Sequence, residues 1–335
     1  MSILNSIFET IANELGAKIP QVAAAVGLLD EGATVPFISR YRKEVTGGLD
    51  DGQLRTLEER LRYLREMEDR RAAILKSIDE QGKLTDVLKA EILKADTKNR
   101  LEDLYLPYKQ KRRTKGQIAI EAGLEPLADK LLGDPNLNPE EQAVEFVDAE
   151  KGFADVKAVL DGAKYILMER FAEDADLLQK LREHQWKNGI LVSEVAAGKA
   201  EEGAKFKDYF SFNEPLSKMP SHRTLAILRG RNEGILSVKL VPSIQLLEDE
   251  RAENPCEQMI ARHFSLNPNG QAADDYIQTV IKWTWRVKLS TQLENTLLGK
   301  LREQAETEAI KVFGANLKDL LMAAPAGAPA SAPWA

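Results

Sequence analysis

Apolar residues along this chain recur mostly every three or four positions, the spacing that places them on one face of an α-helix. The N-terminal segment has this pattern at Ile3, Leu4, Ile7, Phe8, Ile11 and Leu15. Because Glu9 and Glu14 interrupt the segment, it predicts an amphipathic first helix facing a core rather than a signal or transit peptide.

A long surface helix is predicted from about Asp51 to Glu80, ending near Gly82. Its apolar positions are Leu54, Leu57, Leu61, Leu64, Leu75 and Ile78. Dense charges of both signs lie between them, which is typical of a solvated, ion-paired face.

Two further helix starts carry an asparagine cap followed by proline, at Asn138–Glu140 and at Asn254–Glu257. In the second, the glutamate three residues past the cap suggests a capping box. Between them, an apolar face predicts a helix from about Phe153 to Phe171.

Alternating apolar and polar residues are rare. They occur from Leu236 to Leu240 after Gly234, and a shorter apolar run, Ile190–Val195, follows Gly189. We expect a small sheet or hairpin within a helical domain.

The last third returns to helical spacing. The segment Ile277–Leu289 is apolar on most sides, so we expect a deeply packed helix with Trp283 and Trp285 in the core. Residues Leu289–Met322 predict one helix about 50 Å long at 1.5 Å per residue, or two helices broken near Gly299 or Gly314. The Ala-, Pro- and Gly-rich tail, 323–335, is expected to be disordered.

The predicted fold is therefore mainly α, a multi-helix scaffold with a small β-hairpin or sheet and a long C-terminal helix. Composition agrees, because 335 residues with 43% hydrophobic content are typical of globular domains. The single Cys256 excludes an intramolecular disulfide, fits a reducing compartment and is expected in the core. No apolar run approaches the roughly 18 residues of a membrane span. We expect a cytoplasmic protein without a membrane partner.

Signatures of catalysis are absent from the sequence. His184, His222 and His263 are not in a His-Glu-x-x-His motif, and none has metal-ligand spacing from Cys256. The nucleophile-elbow, phosphate-loop and dinucleotide-binding motifs are also missing. We therefore expect no enzymatic activity, catalytic residue, metal, cofactor or small-molecule substrate.

One charge feature stands out against a formal net charge of −7, which should repel phosphates overall. Between Lys98 and Lys115 there are seven basic and two acidic residues. The densest part is the basic run, which comprises Lys109, Lys111, Arg112, Arg113 and Lys115. After a turn at Pro107, these cations would lie at the start of a helix and contact phosphates, while Tyr105 or Tyr108 stacks on a base. The alternative is a solvated loop whose cations pair with acids elsewhere in the protein.

Three segments in order resemble the bacterial transcription accessory protein family, Tex. They are Thr34–Glu44 (TVPFISRYRKE), Arg100–Tyr108 (RLEDLYLPY) continuing into Lys111–Thr114 (KRRT), and Pro220–Gly234 (PSHRTLAILRGRNEG). The resemblance extends from about residue 10 to about residue 324.

This resemblance implies a helical scaffold, related to a eukaryotic transcription elongation factor, that binds RNA or DNA near the transcription machinery. It implies a Tex-like N-terminal region at 1–185 with a helix-turn-helix-like segment near 60–125, a central region at 186–324 and a disordered tail at 325–335. The ribonuclease-H-like, helix-hairpin-helix and S1 domains of the family are not found in this sequence, so we expect only weak, sequence-independent binding of nucleic acid. The competing hypothesis is a protein-interaction or structural module that does not bind nucleic acid.

Overall fold

The computed structural model describes residues 3–110, 112–249 and 251–322, which form two compact units divided after Gln110. The predictions for Lys111 and for the tail at 325–335 lie outside the described residues. The boundary near residue 185 between the Tex-like N-terminal and central regions was inferred from the family resemblance, and it stays a prediction.

The first unit is helical throughout its described part. Its helices are α1 (Ile3–Leu15), α2 (Ile19–Asp30), α3 (Val35–Tyr41), α4 (Asp51–Glu80), α5 (Asp86–Lys94) and α6 (Lys98–Tyr105). The predicted surface helix is confirmed as α4. A capping box fixes the start of α4. The Asp50 carboxylate accepts a hydrogen bond from the Gln53 backbone N–H at 2.7 Å, and the Gln53 side-chain carbonyl accepts one from the Asp50 backbone N–H at 3.1 Å. Gly82, with φ of +66°, allows the chain to turn after α4 ends.

The apolar faces of α1 to α4 meet in one core. Its fully or almost fully buried members include Ile11, Val22, Val26, Ile38, Leu54 and Leu57. The expected orientation of the first helix is confirmed by Ile7 and Ile11, which are 5% and 0% exposed.

The second unit contains the remaining helices and a sheet. Its α-helices are α7 (Lys115–Glu121), α8 (Glu125–Gly133), α9 (Pro139–Ala143), α10 (Val156–Ala172), α11 (Ala175–Asn188), α12 (Ser221–Asn232), α13 (Ile244–Glu248), α14 (Pro255–His263), α15 (Asp274–Trp283) and α16 (Ser290–Met322). A π-helical turn at Thr284–Leu289 joins α15 to α16. α16 confirms the single long helix, uninterrupted at either glycine. α10 starts three residues later than Phe153, because the Asp155 carboxylate accepts from the Ala158 backbone N–H at 2.7 Å.

The sheet has three antiparallel strands in the order β2–β1–β3: β1 (Ile190–Val195), β2 (Ser211–Pro215) and β3 (Leu236–Val241). Leu191 lies opposite Glu214 on one side and Leu240 on the other. The expected pairing of the two alternating runs is confirmed, whereas β2 had no signal in the sequence.

The helix caps also match their sequence patterns, with one difference. Asn138 accepts from the Glu140 backbone N–H at 3.0 Å, and Asn254 accepts from that of Cys256 at 2.9 Å. Glu257, however, accepts from the side-chain amide of Asn254 at 3.3 Å rather than from its backbone.

Candidate nucleic-acid interface

The basic run lies between α6 and α7. One 3-10 turn, Leu106–Tyr108, follows α6 and contains Pro107, so the expected turn is confirmed. Thr114 then caps α7, because its hydroxyl accepts from the Gln117 backbone N–H at 3.0 Å. The same hydroxyl donates to Glu169 of α10 at 2.9 Å, which fixes the start of α7 on the second unit.

Tyr105, one of the two tyrosines beside the run, is part of the framework of the first unit. Its hydroxyl lies 3.0 Å from the Ser77 hydroxyl, and the Arg70 guanidinium lies 5.3 Å from its ring centroid. The Tyr108 carbonyl accepts from the Gln81 amide at 3.0 Å. These contacts hold the end of α6 against α4, and the ring face of Tyr105 under Arg70 is already occupied.

Lys109 is the cation of the run that belongs to the first unit, and it is exposed. Glu102 is its acidic neighbour and forms an ion pair with Arg70 at 2.5 Å. Hydrogen bonding from Arg70 lowers the pKa of Glu102, and the charge of Lys109 adds a smaller effect in the same direction. Part of the positive charge of Lys109 is thus balanced within its own unit.

The described cations of the run in the second unit, Arg112, Arg113 and Lys115, are all exposed. Arg113 pairs with Glu121 of α7, whose carboxylate accepts from the arginine Nε at 2.9 Å. Arg112 forms no ion pair with a described residue. Among these cations, Arg113 is therefore partly neutralised by an acid of its own unit, whereas Arg112 is not paired with a described residue.

A row of cations and aromatic rings continues from Lys115 over α10, and we call it the Lys115–Trp283 row. The Lys115 ammonium lies 4.9 Å from the Tyr165 ring centroid and donates to the Tyr165 hydroxyl at 3.4 Å. The Lys164 ammonium lies 5.4 Å from the Tyr165 centroid and 4.8 Å from that of Trp283. Gly116 lies against the Glu169 carboxylate, and a Cβ there would lie 2.5 Å from one of its oxygens, so a larger residue would displace this side chain.

Trp283 is 45% exposed, so the expectation that both indoles are core residues is wrong for this one. The expectation is confirmed for Trp285, which is 8% exposed. Residues two positions apart project from nearly opposite sides of a helix with 3.6 residues per turn. When one of the two indoles faces the core, the other must therefore face away from it.

Acids limit the positive charge of this row. Asp161 pairs with Lys164 at 2.6 Å, and Glu169 pairs with Lys288 at 3.5 Å. A groove of about 690 Å³ beside Lys164 is also lined by Glu140 and Glu141. Asp161 lies beside Lys164, and Glu169 lies beside Thr114 at the other end of the row, so carboxylates neutralise part of its positive charge at both ends.

Lys164 and Tyr165 were not expected from the sequence as site residues. They lie within the apolar pattern of α10, which predicts a packed helix and nothing more. Their placement beside Lys115 follows from the packing of α7 on α10, for which no motif provides a signal.

Other candidate chemistry in the sequence has a structural explanation. Cys256 is fully buried, and burial raises the pKa of its thiol to about 12, so its expected place in the core is confirmed. Within residues 3–110, 112–249 and 251–322, no three His, Cys, Asp or Glu side chains are grouped to hold a metal ion. None of the helices described there is both long and apolar enough to cross a membrane.

Two family models match the chain. The Tex-like protein N-terminal domain matches residues 5–79, and the Tex central region-like model matches 134–313, which is more than half of the chain. The chain belongs to the Tex family. The basic run lies between the two segments of Tex that the models match.

Curated relatives agree with this assignment. The chain is 62% identical to protein YhgF of Escherichia coli over 323 residues, which are 96% of this chain and 42% of that protein. It is 51% identical to the transcriptional accessory protein Tex of Neisseria gonorrhoeae over 328 residues, with the same two coverages. It is 28% identical to human S1 RNA-binding domain-containing protein 1 over 314 residues, 90% of this chain and 31% of that protein. The chain thus spans less than half the length of these relatives.

Proposed function

We propose that this chain is the N-terminal scaffold part of a transcription accessory protein and makes weak, sequence-independent contact with RNA or DNA. The observation that carries the proposal is the basic run: Lys109, Lys111, Arg112, Arg113 and Lys115. Its described members are exposed on an otherwise acidic chain. Contacts from such cations to phosphates carry no sequence information, so binding without sequence preference follows.

The names of relatives support this proposal. One is called a transcriptional accessory protein and another an S1 RNA-binding domain-containing protein. We assign the chain a non-enzymatic, cytoplasmic role without a cofactor, in contact with the transcription machinery. The helix-turn-helix-like segment near 60–125 belongs to the same proposal.

Alanine replacement of all five cations of the basic run tests it. If three to five phosphates are neutralised, log K for the unmodified chain should fall with log salt at a slope of roughly −3 to −4.5 on duplex DNA. The variant should lose most of this affinity and most of the slope. Fluorescence anisotropy with labelled duplex and single-stranded 20-mers at several salt concentrations measures both quantities.

A matched control removes the same charge elsewhere. Five exposed lysines outside the run are replaced by alanine: Lys76, Lys83, Lys89, Lys94 and Lys207. If the two variants bind alike, or the first binds like the unmodified chain, the proposal is wrong.

A protein-interaction module is the second candidate, and α16 provides the observation that favours it. Apolar side chains on its last turns are exposed: Ile310, Val312, Phe313, Leu317, Leu320 and Leu321. This candidate predicts no measurable affinity for either nucleic-acid probe, together with a molecular mass that rises with protein concentration in sedimentation experiments.

A further inference from the structure

Helix α3 and the turn after it carry a second group of aromatic and basic side chains, in the first unit. We call it the α3 patch: Phe37, Arg40, Tyr41, Arg42 and Lys43. Phe37 is 42% exposed and Tyr41 is 68% exposed. Their ring centroids lie 5.4 Å apart with the planes at 43°, and the Arg42 guanidinium lies 5.6 Å from the Phe37 centroid.

The cations of the α3 patch are not held in salt bridges to described residues, and Arg42 lies over one face of the Phe37 ring. Arg40, Arg42 and Lys43 are exposed, and none forms an ion pair with a described residue. Glu44 is the adjacent acid in sequence, and it is exposed too. An exposed aromatic pair among unpaired cations has no role in the core of this unit.

Beneath the patch, the backbone is firmly held. Val35 and Ile38 on the opposite face of α3 are 3% and 0% exposed and pack into the core of the first unit. The Thr46 hydroxyl lies 3.4 Å from the Arg42 carbonyl and 3.3 Å from the Lys43 carbonyl, to which it can donate. The backbone that carries the patch is therefore pre-organised, which lowers the entropy lost on binding.

The turn is held from below as well. Gln21 donates its side-chain amide to the Gly47 carbonyl at 2.7 Å. Gly47 and Gly48 have φ of +63° and +91°, a region that favours glycine. A Cβ at Gly47 would also lie 2.8 Å from the Gln21 amide nitrogen, so a side chain there would displace Gln21 from its hydrogen bond.

We infer that the α3 patch binds single-stranded nucleic acid, with an unpaired base against the rings of Phe37 and Tyr41 and phosphates on Arg40, Arg42 and Lys43. The inference rests on the proposed contact with nucleic acid, to which it adds a second surface and a class of ligand. Flat rings suit a base whose face is open, whereas the bases of a duplex already stack on one another. An acidic peptide would satisfy the cations but would leave the rings without a matching partner.

Removing the rings tests the stacking part of the inference. Phe37→Leu with Tyr41→Leu keeps apolar side chains but removes both ring faces. Binding of the full chain to labelled oligo-dT and oligo-U 20-mers should weaken by about fivefold or more, the effect of losing one stacked base. Affinity for a duplex 20-mer should change by less than about twofold, since phosphate contacts remain. Phe37→Tyr with Tyr41→Phe should retain single-strand binding.

Phe313→Leu is the matched control for ring loss, since Phe313 is 67% exposed on α16. It should leave both affinities unchanged. Unfolding curves followed by circular dichroism show whether each variant is folded.

Removing the charges tests the phosphate part. Arg40→Gln, Arg42→Gln and Lys43→Gln together should reduce the salt slope on oligo-dT by about 2, because each neutralised phosphate of a single strand contributes about 0.7. Lys83→Gln, Lys89→Gln and Lys94→Gln remove the same charge from exposed positions of the first unit and should leave the slope unchanged.

The outcomes separate this inference from the proposed function. A folded ring variant that binds oligo-dT and oligo-U like the unmodified chain overturns the inference, even if the basic-run variant has lost binding. An unmodified chain that binds none of the probes overturns both. Poly-glutamate that displaces oligo-dT from the unmodified chain and the ring variant equally well would identify an acidic-protein site and also overturn the inference.

Discussion

The α3 patch has three cations and the basic run has five, and the two regions also differ in what surrounds these cations. The described cations of the patch form no ion pair, and Tyr41 beside them is 68% exposed. In the basic run, Arg113 pairs with Glu121 and Lys109 lies near Glu102. Both regions have one ring under an arginine, Tyr105 under Arg70 and Phe37 under Arg42. The number of cations clustered in a sequence therefore does not show how many of them are free of ion pairs and accessible to a ligand.

The difference has a local cause. The basic run ends at a helix whose own last residue, Glu121, returns toward Arg113. The α3 patch is followed by a turn containing Gly47 and Gly48, and Glu44 is the one acid in the sequence between α3 and Asp50. Both regions are strongly basic in sequence, yet one is partly neutralised and the other is not.

The largest expected effect is on stability, and it comes from a substitution in the core beneath the α3 patch. Ile38→Ala deletes a fully buried anchor of α3 and should lower the free energy of unfolding by about 2–5 kcal/mol. Urea unfolding measures the loss. The patch should lose its pre-organised geometry, so oligo-dT affinity should fall although no patch residue is changed.

Ile38→Val serves as the control for this substitution. It should cost about 0.5–1.5 kcal/mol and leave oligo-dT affinity within about twofold of the unmodified chain. Equal destabilisation by both variants would mean that α3 is not anchored through Ile38.

A smaller effect is expected from the ion pair within the basic run. Glu121→Gln removes the partner of Arg113, so the basic run should come to resemble the patch in available charge. We expect low-salt affinity for duplex DNA to rise by about two- to fivefold, consistent with the roughly 0–1 kcal/mol typical of exposed pairs. Glu150→Gln, at an exposed position of the same unit, changes the net charge equally and should raise affinity less. An equal rise in both variants would show that only net charge matters.

The smallest effect concerns pH and the neighbour of Lys109. The pKa of Glu102 is lowered from an ordinary value of 4.5 by Arg70 first and Lys109 last. Its pairing therefore contributes stability above about pH 4.5, and that contribution is lost as pH falls through the lower pKa of the folded state. Stability of Glu102→Gln should depend less on pH below 4.5 than that of the unmodified chain. Parallel pH profiles of urea midpoints for the two proteins would contradict this.

Much of the helical framework could be predicted from the residues because its signals are local. Caps at Asn138 and Asn254 and the apolar spacing of α4 act within a few residues of one another, so α4 and both caps were correctly placed. β2 could not be predicted, because Ser211–Pro215 has no strong alternation and only its pairing with β1 makes it a strand.

The candidate site shows the same division. The basic residues at 109–115 were evident in the sequence, whereas Lys164, Tyr165 and Trp283 joined Lys115 only through the packing of α7 and α15 on α10. Trp283 and Trp285 share one apolar segment, and only the position of the core decided which indole is buried.

The sequence by itself determined the mainly α fold, the position of several helix starts, the long final helix and the presence of basic segments. Hydrogen-bonded caps and helical periodicity are short-range effects that the order of residues specifies directly. The tertiary structure decided which cations are paired, which rings are open and which short segment completes the sheet. Those features depend on side chains far apart in sequence meeting in space, and such contacts are set by packing of whole elements rather than by local pattern.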